Sequence, residues 1–296
     1  MEEWHAKYHG QPGPEWETFL QEFSTLWEEK RLELAAEHTN DGRFGMSKAG
    51  GCTRASALKL LDYDSKPFSG STFHTFFIGH LVELEVVATL RAMGYPVNGQ
   101  QEPVRIDPFM HSYSDGIMHG VEDLVFKHTD PFILSVKSTG YKMGGKKGKK
   151  FERRGFAELP FEGVRRAQPG HWAQLQAEMH GSGIHLGLYL VVAKDVIKAF
   201  EDDEYLGDQG NGSLSFYAEV VPYSEGFAVQ ALLPTWEEQW YAVQDGNPGL
   251  ARFLSKTQLY ADLKIASQDW MPNADRTESF NPCMYCDMSE VCGDAG

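Results

Sequence analysis

Lys137 closes the apolar run "ILSVK", and three other stretches hold acids suited to work beside it: "HLVELE" (80–85), "HGVEDLVF" (119–126) and "AQLQAEMHG" (173–181). Carboxylate oxygens are the donors that hard cations such as Mg²⁺ require, and a neighbouring lysine can orient water or stabilise charge during phosphodiester hydrolysis. Side chains at alternate positions of a strand share a face, so the place from which an acid would join Lys137 is residue 135, and it is a serine. Gln174 and Glu178 are one helical turn apart and share a face, which lets Glu178 supply the carboxylate that Ser135 does not. "HGVEDLVF" places two adjacent acids, Glu122 and Asp123, on the strand expected before Lys137, and Asp123 is taken as the one turned to the site. Glu122 then points to the opposite face, Asp115 in "SYSDGI" is a lesser candidate because a Ser-Asp-Gly is usually a turn, and His80 falls off the face of Glu83.

A second constellation is made of sulfur. The chain has four cysteines: Cys52, and Cys283, Cys286 and Cys292 in "CMYCDMSEVC". Four thiolates suit an iron-sulfur cluster or a zinc ion, and the spacing alone does not choose between them. A third feature is charge. The 296 residues carry a net charge of -15, yet Lys142 to Arg166 holds nine Lys/Arg and three Glu. Such a run is either a solvated loop or an element that contacts phosphates, and Lys146, Lys147, Lys149, Lys150, Arg153 and Arg154 are its candidate DNA contacts.

The elements that must position these residues follow from periodicity. Trp16, Phe19, Leu20, Phe23, Leu26 and Trp27 recur at helical spacing after Pro14, a second helix is expected over about 51–62, and a third from about 73 to Met93. Strands are expected over about 116–126 and 131–138, the second bounded by Pro131 and Gly140. The Gly-rich basic stretch 141–170 shows no apolar period and is expected as a long loop. A helix over "GHWAQLQAEMHG", strands over "HLGLYLVVAK" and "SLSFYAEVV", and helical segments over 224–267 complete an α/β order. No charge-free apolar stretch reaches bilayer length and the start lacks the layout of a secretory signal, so a cytoplasmic protein without a membrane partner is expected.

From about residue 44 to Cys292 these motifs resemble the PD-(D/E)XK nuclease superfamily. Gly79 with Glu83 is similar to its helix motif, "HGVEDLVF" to its Gly-x-x-Asp strand, Lys137 to its motif lysine, and Gln174 to the glutamine of Gln-x-x-x-Tyr. The cysteines, with "MSKAGGCTRASALKLLDY", resemble those of the iron-sulfur nucleases related to RecB and AddB and to the CRISPR adaptation nucleases. The resemblance implies a restriction-endonuclease-like α/β core with a central mixed sheet flanked by helices, over 46–270. It implies a helical extension over 1–45, and a terminal [4Fe-4S] subdomain in which residues 271–296 supply Cys283, Cys286 and Cys292 to join Cys52. It further implies a two-metal deoxyribonuclease, an exonuclease of recombination or repair, cutting DNA at ends or in single strands, from a virus or mobile element. Glu83, Asp123, Glu178 and the Val136 carbonyl would hold Mg²⁺ or Mn²⁺, Lys137 would position water, and Gln174 would assist its orientation. Two positions depart from the family, Ser135 for the acid and Glu178 for the tyrosine. Certain restriction enzymes of the superfamily are similar, with Ser or Thr at the motif position and a Glu on the following helix. The alternatives are an inactive DNA-binding or recombination-partner protein that keeps fold and cluster, and a zinc-stapled protein of unrelated function.

Overall fold

The structure, a computed structural model, describes residues 2–35, 42–67, 69–119, 130–144, 152–193, 216–249, 287–288 and 291–292. At its centre is β6 (Phe132–Thr139), whose run FILSVKST is buried along most of its length. It pairs in parallel with β9 (Leu186–Ala193) and antiparallel with β5 (Ile117–Met118). The mixed five-stranded sheet is completed by β10 (Phe216–Pro222) beside β9 and β2 (Val97–Asn98) beside β5. A strand covered on both faces reads as a continuous apolar run, which is why alternation is absent from the sequence of β6.

Alternate residues of β6 sort to two layers. Phe132, Leu134 and Val136, with Leu188 and Leu190, share a core with Leu84, Val86, Val87, Ala88 and Leu90 of α4 (Gly70–Ala92). Trp4 of α1 (Glu2–Tyr8) and Phe19 and Leu26 of α2 (Pro14–Ala35) belong to the same cluster. α4 is by length and composition apolar enough to cross a bilayer, but its C-terminal half packs on this sheet. On the other face, Ile133, Tyr189 and Val191 meet Trp172, Ala173, Leu175 and Met179 of α6 (Pro169–Ser182). The two-residue period therefore turns Ser135 and Lys137 toward α6.

A second sheet of three strands, β1 (Phe44–Gly45), β4 (Met110–Tyr113) and β3 (Pro103–Ile106), lies beside α6. α3 (Thr53–Leu60) and α7 (Leu233–Gln244), the latter preceded by a wider helical turn over Ala228–Leu232, also border this layer.

The expectation of a structureless loop over 141–170 is corrected. Its described residues form a hairpin of β7 (Tyr141–Gly144) and β8 (Glu152–Gly155), then a turn over Phe156–Glu158 and α5 (Leu159–Ala167). Phe156, Leu159, Val164 and Ala167 are buried, but Gly163 at φ 68° breaks the helix between them, so their spacing shows no helical period. Of the strand expected over 116–126 only Ile117–Met118 is described, and residues 120–129 lie outside the described residues. The helical segment expected to reach 267 is described as far as Gln244, with 250–286 outside the described residues.

Candidate active site

The C-terminal half of β6 presents Lys137 on the face of the sheet that meets α6. Its amine lies 3.5 Å from Asp115 Oδ2, and both side chains are about a fifth exposed. The same oxygen accepts the Val136 N–H at 2.7 Å. A strand residue's N–H and C=O lie on the same edge, so the Val136 carbonyl also faces the Asp115 side, where β5 has already ended.

Two more carboxylates arrive from helices. Glu178 of α6 is 3% exposed, and its Oε1 accepts from Gln174 Nε2 at 2.8 Å and from Ser112 Oγ of β4 at 3.0 Å. Glu83 of α4 accepts from Gln101 Nε2 at 3.3 Å, while its other oxygen faces His80 Nδ1 at 3.8 Å. His80 thus stands beside Glu83 after all, three residues apart on one helix, where the sequence reading had set it aside.

The electrostatics tie these groups into one site. Burial pushes the Lys137 amine down, but the charges of Asp115, Glu178 and Glu83 outweigh it and hold the amine above its ordinary value. Burial lifts the Asp115 carboxyl, Lys137 draws it back, and Glu83 lifts it further. Glu178 is pushed up to about 7 by burial and by Asp115, against the pull of Lys137, Gln174 and Ser112. His171, on the α6 face of Gln174 and Glu178, is lowered to about 4 by burial and by Lys137, and its Nδ1 shares a 2.7 Å hydrogen bond with the Tyr189 hydroxyl. It is therefore a neutral imidazole at physiological pH.

Three carboxylates around one amine leave a surplus of negative charge that burial makes costly, and a cation relieves it. The donors are hard oxygens, the set that suits Mg²⁺ or Mn²⁺. Ser135 adds a fourth oxygen on the face of Lys137. It is 0% exposed, and its hydroxyl has no partner among the described residues. Among the described residues no three acid, histidine or cysteine side chains are gathered tightly enough to hold an ion as they stand. Asp115 lies directly beside the Lys137 amine, and the charges of Glu178 and Glu83 also act on it.

Of the residues singled out in the sequence, the structure brings together Glu83, Val136, Lys137, Gln174 and Glu178. Gln174 spends its amide on Glu178, which makes it a positioning residue for that carboxylate. Asp123 lies outside the described residues. Asp115, only a lesser candidate in the sequence, is the acid beside Lys137, a promotion with a simple cause. β5 runs antiparallel to β6, so Asp115, two residues before β5, falls beside the later part of β6. Ser112, Gln101 and His171 had no motif to mark them. Lys146, Lys147, Lys149 and Lys150 lie outside the described residues, as do the side chains of Arg153 and Arg154 on β8.

Cys283 and Cys286 also lie outside the described residues. Cys52 is the N-cap of α3, and Cys292 donates its N–H to the Met288 carbonyl at 3.0 Å. Asp287 pairs with Lys59 of α3 and accepts the Lys66 N–H at 2.9 Å, so the tail is tied to the helix that Cys52 begins.

No family model matches the chain, and no curated protein matches it. Among solved structures, the protein SSO0001 aligns with a TM-score of 0.44 and 13% identity, covering 91% of this chain and 95% of that one. The alkaline exonuclease LHK-Exo of Laribacter hongkongensis, crystallised with dAMP, aligns with a TM-score of 0.39 and 11% identity over 77% of this chain and 93% of that one. A phage related exonuclease from Haemophilus somnus 129PT gives 0.37 and 15% over 65% and 78%. At TM-scores under 0.5 these likenesses do not bear on what this chain does.

Proposed function

We propose that the chain is a metal-dependent deoxyribonuclease of the PD-(D/E)XK type, an exonuclease acting on DNA ends or single strands. The observation that carries this reading is the Lys137 amine 3.5 Å from Asp115 Oδ2, with the buried Glu178 and with Glu83, from two helices, near enough for their charges to raise it. In it, Asp115 takes the role expected of Asp123, and Glu178 replaces the acid missing at Ser135. These three and the Val136 carbonyl would hold Mg²⁺ or Mn²⁺, which supplies Lewis acidity and an activated water when bound. Lys137 orients the attacking water and stabilises charge on the phosphate, Gln174 and Ser112 fix the Glu178 carboxylate, and the neutral His171 is held by Tyr189 on the same face of α6.

End-labelled linear and circular DNA, incubated with Mg²⁺ or Mn²⁺, test the reading. Linear DNA should be degraded and circular duplex spared, and Asp115→Ala, Lys137→Ala and Glu178→Ala should each lower kcat by at least about a hundredfold, the scale expected when a group that holds or orients the reacting atoms is removed. DNA binding without cutting under any metal would favour the inactive recombination-partner reading, to which the unpartnered Ser135 hydroxyl lends support. The same family resemblance assigns Cys52, Cys283, Cys286 and Cys292 to a [4Fe-4S] cluster, a reading supported by the tie between the tail and α3. Anaerobically purified protein should then be brown and hold iron; colourless protein with zinc would overturn that assignment.

A further inference from the structure

The loop joining β2 to β3 contains Gln101 at φ 57°, in the left-handed region that residues other than glycine rarely occupy and that clusters at functional sites. A short clasp holds it there. Gln101 donates its N–H to the Ser114 carbonyl at 2.9 Å, and Ser114 donates its own N–H to the Glu102 carbonyl at 3.0 Å. The Ser114 hydroxyl, 1% exposed, donates to the Gly99 carbonyl and accepts the Gly116 N–H, each at 2.9 Å. From this backbone the Gln101 amide reaches Glu83 Oε1 at 3.3 Å.

Ser114 immediately precedes Asp115. The loop that holds the Glu83 carboxylate is therefore fastened to the residue that presents the Asp115 carboxylate. Asp115 is also held to β6 by the Val136 N–H, whereas Glu83 sits on a separate helix, and the clasp is the link that ties the two acids together. We propose that Gln101 is a positioning residue that, through the Ser114 clasp, sets the Glu83 carboxylate against Asp115 and so prepares the pair to receive a divalent cation. The inference rests on the metal-site reading above. By engaging Oε1, the Gln101 amide leaves Oε2 with only the looser 3.8 Å approach of His80 Nδ1, and it restrains a side chain that would otherwise lose rotamer freedom when an ion binds.

Two variants test this with readouts that a purely structural role would not move. Gln101→Gly suits the left-handed backbone and deletes the amide; Gln101→Asn also tolerates that backbone and keeps an amide, one methylene too short. Mn²⁺ affinity is measured by isothermal titration calorimetry, thermal stability by calorimetry in EDTA, and kcat and KM on linear DNA across a range of Mn²⁺. Both variants should keep wild-type melting temperatures in EDTA and bind Mn²⁺ about tenfold more weakly or worse, the scale of losing a supporting contact to a ligand. Their kcat should recover at high Mn²⁺ with KM for DNA unchanged. Wild-type Mn²⁺ affinity in both variants overturns the positioning role alone, and so does a lowered melting temperature with unaltered affinity. Wild-type protein whose Mn²⁺ binding is absent, or indifferent to Asp115→Ala, overturns the metal site and this inference with it.

Discussion

Burial and the nearby Asp115 lift the Glu178 carboxyl to about 7, against 4.5 for an ordinary glutamate. Between those two values the native metal-free protein binds more protons than the unfolded chain, so its stability falls as pH rises through that window. The full shift corresponds to about 3 kcal/mol, an upper bound because water and a shifted lysine can screen the charge. Glu178→Gln cannot ionise and keeps an oxygen for Gln174 and Ser112. In EDTA it should therefore melt well above wild type at pH 8 and close to it at pH 5, by scanning calorimetry. The difference between the two proteins isolates Glu178 from Asp115, whose raised carboxyl titrates in both. Parallel stability curves for the two proteins would show that Glu178 is not the strained acid of this site. Mg²⁺ should stabilise wild type more at pH 8 than at pH 6, since the ion and the proton compete for the same carboxylates.

Glu178 reaches Ser112 because α6 runs against the three-stranded sheet at a glycine. A Cβ at Gly181 would lie 2.9 Å from the Arg105 carbonyl and 2.9 Å from Val104 Cγ1. Val104 is the register partner of Ser112, so a displaced helix end loosens the contact that holds Glu178. Gly181→Val should cost about 1–3 kcal/mol by overpacking, read from urea unfolding, and lower kcat as well. Gly79 of α4 contrasts with it. An added Cβ there meets nothing within 4 Å, so Gly79→Ala should gain about 0.5–1 kcal/mol of stability from helix propensity. A Gly79→Ala protein that is more stable but much less active would mean that substrate passes over that face. α4 and α6 were legible in the sequence because each is long enough to repeat its period, and β6 because its apolar run is bounded by Pro131 and Gly140; the paired positions of Gln174 and Glu178 follow from the helical period. β1, β3 and β4 were not, because two to four residues hold no repeat and β1 pairs with a strand some way along the chain. Asp115 was hidden for the same reason: its Ser-Asp-Gly is a turn, and only the antiparallel pairing of β5 with β6 makes that turn part of the site. Gln101 has no local signature, since a left-handed glutamine is a product of its tertiary clasp.

Across the whole molecule, the charge distribution opposes and directs the partner at once. A net charge of -15 repels a polyanion, while the nine Lys/Arg between Lys142 and Arg166 attract one. The hairpin that carries part of this charge begins two residues after β6 ends and four after Lys137, close to the site by the reach of the chain alone. Binding of single-stranded DNA in Ca²⁺, which should permit binding without cutting, is thus expected to weaken steeply between 50 and 300 mM KCl, as read by fluorescence anisotropy. Replacing Lys146, Lys147, Lys149 and Lys150 together by Gln should flatten the plot of log affinity against log salt by about 3, if each lysine releases one counterion from a single strand. The acidic remainder of the chain makes this test discriminating, because a general electrostatic attraction is not available to take over. An unchanged slope with weakened affinity would mean that these lysines shape the hairpin without touching phosphates, and an unchanged slope and affinity would move the DNA path to another face of the protein.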